Sequence, residues 1–241
     1  MYHLLRKQII LQTVLLFFVA NTFAQRREIH RPEHDDAPYY FGATFGYNSS
    51  YLHSSKSNKF LQDDSILVAL PGSSGGIAIG LLATGRLSGN FQVRLNPQVI
   101  IGSARYFTYR LADSLALPGE PVSQKRTLPA NIISFPLQLK FHSDRIDNFR
   151  VYMMGGIKYD IYFSSNASAS SGVDVRFKSS DFGIEGGIGF NIYFPYFTLS
   201  PELKFSNGLS NILVPDPSLK YSSVFGKLQT RMIAFSLHFE Y

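Results

Sequence analysis

Six histidines are the residues best suited to acid–base chemistry or metal binding in this chain, which has no cysteine. They are His3, His30, His34, His53, His142 and His238. His53 lies next to the serine-rich segment 54–57, but such segments are common in loops, and the spacing has no specificity for a nucleophile and its base. His142 and His238 fall on the polar faces of alternating segments, so we expect hydrogen-bonded structural histidines there. We therefore predict no catalytic residue and no enzyme activity.

Two other segments contain residue types that occur in binding sites. Residues 25–38, QRREIHRPEHDDAP, are charged, contain proline and show no periodicity. A metal site needs surrounding groups that orient its ligands, and a flexible segment lacks them. The potential ligands there are His30, His34, Asp35 and Asp36. Residues 72–76, GSSGG, lack the lysine of phosphate-binding loops and do not begin a helix. We predict neither a metal site nor a cofactor site.

The elements that position the remaining polar residues are strands, because apolar and polar residues alternate with a period of two. In the clearest segment, Phe91, Val93 and Leu95 alternate with Gln92 and Arg94. One face of each such segment is apolar and often aromatic, and the other is small or polar. Eight segments show the pattern, near residues 39–48, 75–86, 90–101, 133–142, 150–163, 181–192, 197–205 and 233–241.

These segments predict an all-β fold, an eight-stranded antiparallel transmembrane β-barrel of the outer-membrane type. Segments of about ten residues suit a tilted membrane-crossing strand, and terminal Phe and Tyr suit an aromatic girdle. The main alternative is a soluble β-sandwich, but its core would not tolerate the charges found on the polar faces. Charged residues make up only 17% of the chain, and no apolar run of membrane-spanning length follows the N-terminus, which excludes a helical multi-span protein.

The connections between segments alternate in length, as they do in transmembrane barrels. Three long ones cover residues 52–74, 111–130 and 207–227. Three short ones cover residues 87–89, 143–148 and 194–196, and a further connection covers 165–172. With a periplasmic N-terminus, this pattern predicts short periplasmic turns and long extracellular loops.

The N-terminus has the three parts of a secretory signal peptide. A positively charged start precedes a short apolar centre over residues 9–18, and the small residues Thr22 and Ala24 precede a cut at Gln25. The predicted organisation is a cleaved signal peptide over 1–24, a flexible periplasmic arm over 25–38 and the barrel domain over 39–241. We expect an integral protein of the cell outer membrane.

Eight strands enclose a space that side chains nearly fill. The ionisable residues on the polar faces are nearly balanced in sign, so we predict a structural network of paired charges in the lumen. Its members are Arg94, Lys140, Lys158, Asp160, Glu185, Glu202, Lys204, His238 and Glu240. Such a lumen is not a protein conduit. The net charge is +6, but the basic residues are scattered among acidic ones and form no basic stripe. We therefore expect the protein to contact outer-membrane lipid, and we expect no nucleic acid and no small-molecule substrate.

Beyond alternation, five blocks of the chain contain particular polar residues at particular places. They are DDAPYYFGATFGYN (35–48), FQVRLNPQVIIGSARYFTYRL (91–111), ISFPLQLKFHSDRIDNFRVYMMGGIKYD (133–160), FPYFTLSPELKFSNGLSN (194–211) and KLQTRMIAFSLHFEY (227–241). In these blocks the chain resembles the PorT family, also called SprT, of the Bacteroidetes. The resemblance covers nearly the whole mature chain and implies a component of the type IX protein secretion and gliding motility machinery.

From this resemblance and the filled lumen we predict an accessory or scaffold role in cargo export, with other secretion-machinery proteins as partners. The turn residues Asp144, Arg145, Asp147 and Asn148 are candidate partner contacts, although polar residues favour tight turns whatever they touch.

Two other functions stay open on the sequence alone. A generic structural or adhesive barrel of the OmpA or OmpX type predicts envelope fragility or lost surface binding, with secretion intact. An outer-membrane lipid enzyme predicts altered lipids and requires a polar cluster near the membrane rim.

Overall fold

Long antiparallel strands account for most of the described chain, as the period-two alternation predicts. The computed structural model describes residues 28–56, 66–103, 105–111, 123–127, 131–163, 176–214 and 225–241. The predicted signal peptide, 1–24, and the predicted connection 165–172 lie outside these residues. In the described part of the chain, the helical segment is one 3-10 turn, Pro32–Asp35, and no helix there is long and apolar enough to cross a membrane.

Eight strands form the wall of the molecule, and we number them β1 to β8. They are β1 Tyr39–Lys56, β2 Ser74–Arg86, β3 in two parts (Phe91–Leu95 and Gln98–Ile101), β4 Asn131–His142, β5 Phe149–Phe163, β6 Ser180–Tyr193, β7 Thr198–Gly208 and β8 Phe225–Glu240.

The wall closes into a ring because β1 pairs with both β2 and β8. Tyr39 lies opposite Gly85 of β2, and Gly42 lies opposite Glu240 of β8. Every other wall strand pairs antiparallel with the strands before and after it, so the ring has no open edge. The predicted fold class is confirmed.

Solvent exposure is reversed relative to a soluble domain. Outward side chains are large, apolar and exposed, as at Phe45 (50%), Leu81 (69%) and Phe235 (50%). The residues between them on each strand are buried and mostly polar, as at Arg94 and Thr44, although a few are apolar, as at Leu82. This arrangement suits a wall whose outer face meets hydrocarbon and whose inner face encloses polar groups.

The two ends of the barrel differ. Residues 87–90, 143–148 and 194–197 form tight connections at what we call the short-turn end, within one residue of their predicted limits. The other four connections lie at what we call the long-loop end.

The predicted long loops contain more strand than the sequence indicated. β1 continues to Lys56, and β8 begins at Phe225. Outside the wall, Ile66–Gly72, Tyr106–Leu111 and Ser123–Thr127 form a small sheet, and Arg176–Phe177 pairs with Leu213–Val214. The prediction of loops was wrong there because backbone pairing continues past the apolar band, where the outward residues of β1 are polar and hydropathic alternation ends.

The third segment is interrupted at residues 96–97, where the sequence predicted a continuous strand. Pro97 has no backbone N–H to give to a ladder. The wall nevertheless stays bonded, since Asn96 N–H donates to Pro136 O (3.1 Å) and Leu81 N–H donates to Pro97 O (3.0 Å).

Candidate functional site

The inner face of the barrel brings together the ionisable residues that the strand pattern places there. All nine residues predicted for the lumen network are buried. Each lies between exposed or half-exposed neighbours on its strand, as inward positions do.

The central contact of the lumen joins opposite walls. Arg94 is on β3 and Glu202 on β7, which are four strands apart in either direction around the ring. Arg94 Nη2 donates a hydrogen bond to Glu202 Oε2, and both side chains are fully buried. The Tyr152 hydroxyl donates to the same oxygen (2.9 Å), and His238 Nε2 lies 3.4 Å from Glu202 Oε1. These groups occupy the full width of the lumen at this level.

A second contact also crosses the ring. Lys140 on β4 and Glu240 on β8 have a closest N–O distance of 3.6 Å, and Glu240 Oε1 is 4.0 Å from Arg94 Nη1. Lys140 Nζ is also 4.2 Å from the centre of the Tyr152 ring. Two ion pairs that do not cross the lumen complete the predicted set. Lys158 and Asp160, both on β5, are 2.6 Å apart, and Lys204 on β7 is 3.9 Å from Glu185 on β6.

Neutral polar side chains connect these charges. Gln138 Oε1 accepts a hydrogen bond from Arg94 Nε (2.6 Å), and its Nε2 donates to Glu185 Oε1. Nearer the short-turn end, the Tyr40 hydroxyl donates to Gln92 Oε1 (2.6 Å). Hydrogen bonds of this kind are needed because an unpaired polar group in a buried position costs free energy.

Among the described residues, two buried charges of the interior were missing from the predicted network. Asp181 accepts hydrogen bonds from the Thr230 hydroxyl (2.6 Å) and the Tyr162 hydroxyl (3.3 Å). Arg105 is 2% exposed, and its Cζ lies 5.3 Å from the centre of the Tyr162 ring. Asp181 was recognisable because it shares the polar face of β6 with Glu185. Arg105 lies outside the alternating segments, so the sequence had no signal for it.

The short-turn end is covered by residues 28–38, for which the sequence predicted a flexible arm. His34 is only 5% exposed and lies between the rings of Tyr40 and Tyr193, with centroid distances of 4.4 and 5.9 Å. The Asp35 carboxylate accepts hydrogen bonds from Tyr193 (3.2 Å) and Arg145 (2.9 Å) and lies 3.1 Å from Arg150 Nη1. Burial lowers the pKa of His34 below its usual value of 6.5.

The turn proposed for partner contacts is partly occupied by this arm. Arg145 Nη2 donates to His30 O, and its guanidinium lies 3.7 Å from the centre of the Tyr193 ring. Asn148 accepts from His30 N–H (2.8 Å) and donates to Glu28 O (2.8 Å). The other two candidates, Asp144 and Asp147, are exposed.

The histidines near wall strands have structural surroundings. His142 Nε2 is 2.8 Å from Gln92 Oε1, and His238 Nδ1 is 2.9 Å from Thr44 Oγ1. His53 is exposed and has no hydrogen bond to a serine among the described residues. Within the described ranges no three His, Asp or Glu side chains are grouped as metal ligands would be.

Comparison with known proteins identifies the family. The family described as "Outer membrane protein beta-barrel domain" matches residues 23–214, more than half of the chain. The chain belongs to this family. As a member of an outer-membrane barrel family with a closed transmembrane-type ring, it is an integral protein of the outer membrane, and its exposed apolar band faces lipid.

Several solved outer-membrane barrels are similar at low identity. OprG from Pseudomonas aeruginosa is 15% identical, with 83% of this chain and 95% of that chain covered and a TM-score of 0.41. Neisserial surface protein A is 11% identical, with 84% and 96% covered and a TM-score of 0.44. The outer membrane protease OmpT from Escherichia coli is 8% identical, with 84% and 96% covered and a TM-score of 0.45. A search of curated proteins found no match. The assignment therefore rests on the family match and the strand topology.

Proposed function

We propose that this protein is a structural or adhesive outer-membrane barrel that does not conduct proteins or sugars. The observation that carries the proposal is the Arg94–Glu202 contact, which joins diametrically opposite strands at the centre of the lumen. An eight-stranded barrel has room for little more than its own side chains. Function then belongs to the loops, the short-turn end or the outer wall.

The contact is expected to stay closed. Separating Arg94 from Glu202 would leave each charge buried without its partner, at a cost of about 3–5 kcal/mol. Thermal motion alone overcomes such a cost rarely, so the lumen network acts as a fixed filling. Since His142 and His238 are enclosed in this filling, we propose no catalytic role for the chain.

Single-barrel conductance tests the closed lumen. The purified mature protein, reconstituted in a planar bilayer, should show no stable conductance steps at neutral pH. Glu202→Ala, which removes one side of the crossing contact, should introduce small steps or noise. Stable steps in the wild-type protein would contradict the proposal.

Clean deletion of the gene tests the structural or adhesive role. We expect increased sensitivity to detergent or loss of surface binding, both restored by the intact gene, while exported proteins reach their normal locations. An unchanged envelope together with trapped exported proteins would contradict this role and favour the second candidate below.

The second candidate is an accessory role in type IX secretion. It is favoured by the sequence resemblance, whose strongest block, residues 133–160, covers most of β4, the turn 143–148 and most of β5. This turn holds the exposed carboxylates of Asp144 and Asp147 at the short-turn end, where a periplasmic partner has access to them. In the deletion strain, cargo with a C-terminal secretion signal would then accumulate in the periplasm. Replacing Asp144 and Asp147 by Asn should reproduce that accumulation with a normally folded barrel. Normal export in both strains would exclude this candidate.

A further inference from the structure

The outer wall has a groove near the long-loop end. Its volume is about 600 Å³, within the range of roughly 300–1,000 Å³ that is usual for ligand sites. It lies where β1, β8, β7 and β6 run side by side. The strand register places four outward residues in one row across these strands, Tyr51, Arg231, Asn207 and Ile184. The next row toward the short-turn end is Ser49, Ile233, Phe205 and Gly186.

The floor of the groove is low at Gly186, whose outward face has no side chain, and a second outward glycine, Gly155, lies beside the groove. Gly186 of β6 pairs with Gly155 of β5. A Cβ atom on either would meet no atom closer than 3.7 Å, so no crowding from within the chain requires glycine there. The exposed side chains of Ile184 and Phe205 stand at its sides. The result is an apolar depression in a wall that faces lipid.

The upper row of the groove carries a positive charge, Arg231, that has no partner among the residues the structure describes. The Arg231 side chain is half-buried and makes no hydrogen bond, ion pair or ring contact with any described residue. Neither row contains an acidic side chain. Lys227 is exposed and lies on the same outward face of β8, two residues beyond Gln229 toward the long-loop end. The surface is therefore complementary to an anion.

The position of Arg231 along the wall matches the level of lipid headgroups. Below it on the same face, Ile233 and Phe235 are exposed and apolar, whereas the row of Arg231 and Asn207 is polar. On β8 the apolar band ends between these rows, because Arg231 follows Ile233 on the outward face. In barrels of this family type the long loops are extracellular, so this boundary is the outer-leaflet interface.

We propose that the groove binds one phosphorylated lipid of the outer leaflet. A headgroup phosphate would accept hydrogen bonds from Arg231, whose planar guanidinium suits bidentate phosphate binding. An acyl chain would lie over Gly186 and Gly155, where the wall offers an apolar surface without side chains. The proposal concerns the outer wall and is independent of both functions considered above.

Lipid binding to the purified mature barrel tests the site. Native mass spectrometry would compare bisphosphorylated lipid A with the same lipid after removal of its phosphates. We expect about tenfold tighter binding of the phosphorylated form, because a charge-assisted bidentate contact is lost without phosphate. Arg231→Gln should remove this preference. The control Lys178→Gln removes the same charge from an exposed residue outside both rows and should retain it.

A second pair of variants tests the acyl part of the groove. Gly186→Leu fills the depression and should weaken binding of both lipids. Ala83→Leu adds a similar side chain to the outward face of β2, on the opposite side of the ring, and should change nothing. The change in gel mobility on heating checks that each variant is folded.

Three results would overturn the proposal. The first is equal binding of both lipids by the wild-type barrel. The second is undiminished lipid binding by Arg231→Gln and Gly186→Leu. The third is full competition by inorganic phosphate alone, which would indicate a site for an anion and not for a lipid. The wild-type comparison requires no variant, so the test is decisive even if a substituted barrel fails to fold.

Discussion

The middle of the lumen and its short-turn mouth are both closed by charged groups, but different parts of the chain supply them. In the middle, Arg94 and Glu202 belong to wall strands, and neither side chain is exposed. At the mouth, Asp35 belongs to the arm, and its side chain is 26% exposed. Separating Arg94 from Glu202 leaves two fully buried charges without their main partners, whereas the arm can leave without breaking any strand pairing. The middle is thus a permanent closure and the mouth a removable one.

The largest effect should come from breaking the permanent closure. Arg94→Ala leaves Glu202 buried without its main partner and should lower the free energy of unfolding by about 3–5 kcal/mol. Urea unfolding of the barrel in lipid vesicles would measure this change. The control Arg231→Ala, at an outward position with no described partner, should change stability far less. Equal losses in the two variants would show that the crossing contact has no special role.

A smaller effect is expected at the mouth. Asp35→Asn weakens the contacts with Arg145 and Arg150, and should lower the free energy of arm docking by about 1–3 kcal/mol. Hydrogen exchange and limited proteolysis of residues 28–38 should increase, while urea unfolding of the wall stays unchanged. Glu33→Gln, at an exposed position of the same turn, is the matched control. A drop in wall stability in the Asp35 variant would contradict the separation of the two closures.

Acidification should also loosen the mouth. The docked arm holds the pKa of His34 below 6.5, so docking is strongest above about pH 6.5, where the imidazole is neutral in both states. As pH falls below that value, the released arm takes up a proton that the docked arm excludes, and docking weakens. Proteolysis of the arm at about pH 7.5 and about pH 5.5 would measure this, with His34→Gln expected to reduce the difference. The charged groups that act on His34 are Glu240, Arg31, Asp35 and Lys140.

The smallest effect should come from the most exposed ion pair. Asp36 is 88% exposed and pairs with Arg86 at 3.1 Å. Asp36→Asn should change arm docking by about 0.5 kcal/mol or less, since exposed pairs contribute little. If Asp36→Asn increased hydrogen exchange of the arm as much as Asp35→Asn does, the arm would be held by its net charge and not by the buried contact of Asp35.

The strands and the inward faces were predictable because both depend on a local rule. Alternation places Arg94 and Glu202 on the inner face whatever the rest of the fold does. Their contact with each other was not predictable, since it depends on how far the strands are staggered around the ring. Docking of the arm was even harder to predict, because residues 28–38 have no periodicity and their partners are spread over the turn 143–148 and the ends of several wall strands. Arg105 escaped for a similar reason, as it lies after the last alternating residue of β3.

The pairing of β1 with β8 has a consequence for assembly. Gly42 and Glu240 are neighbours in space, but nearly the whole barrel sequence separates them. Such a long-range contact forms slowly because it must overcome the entropy of closing a long loop. Until it forms, β1 and β8 would each have an edge of unpaired backbone amides, which hydrocarbon cannot hydrogen-bond. A barrel with β1 and β8 unpaired is therefore unstable in the bilayer. Insertion is complete only when these two strands have paired.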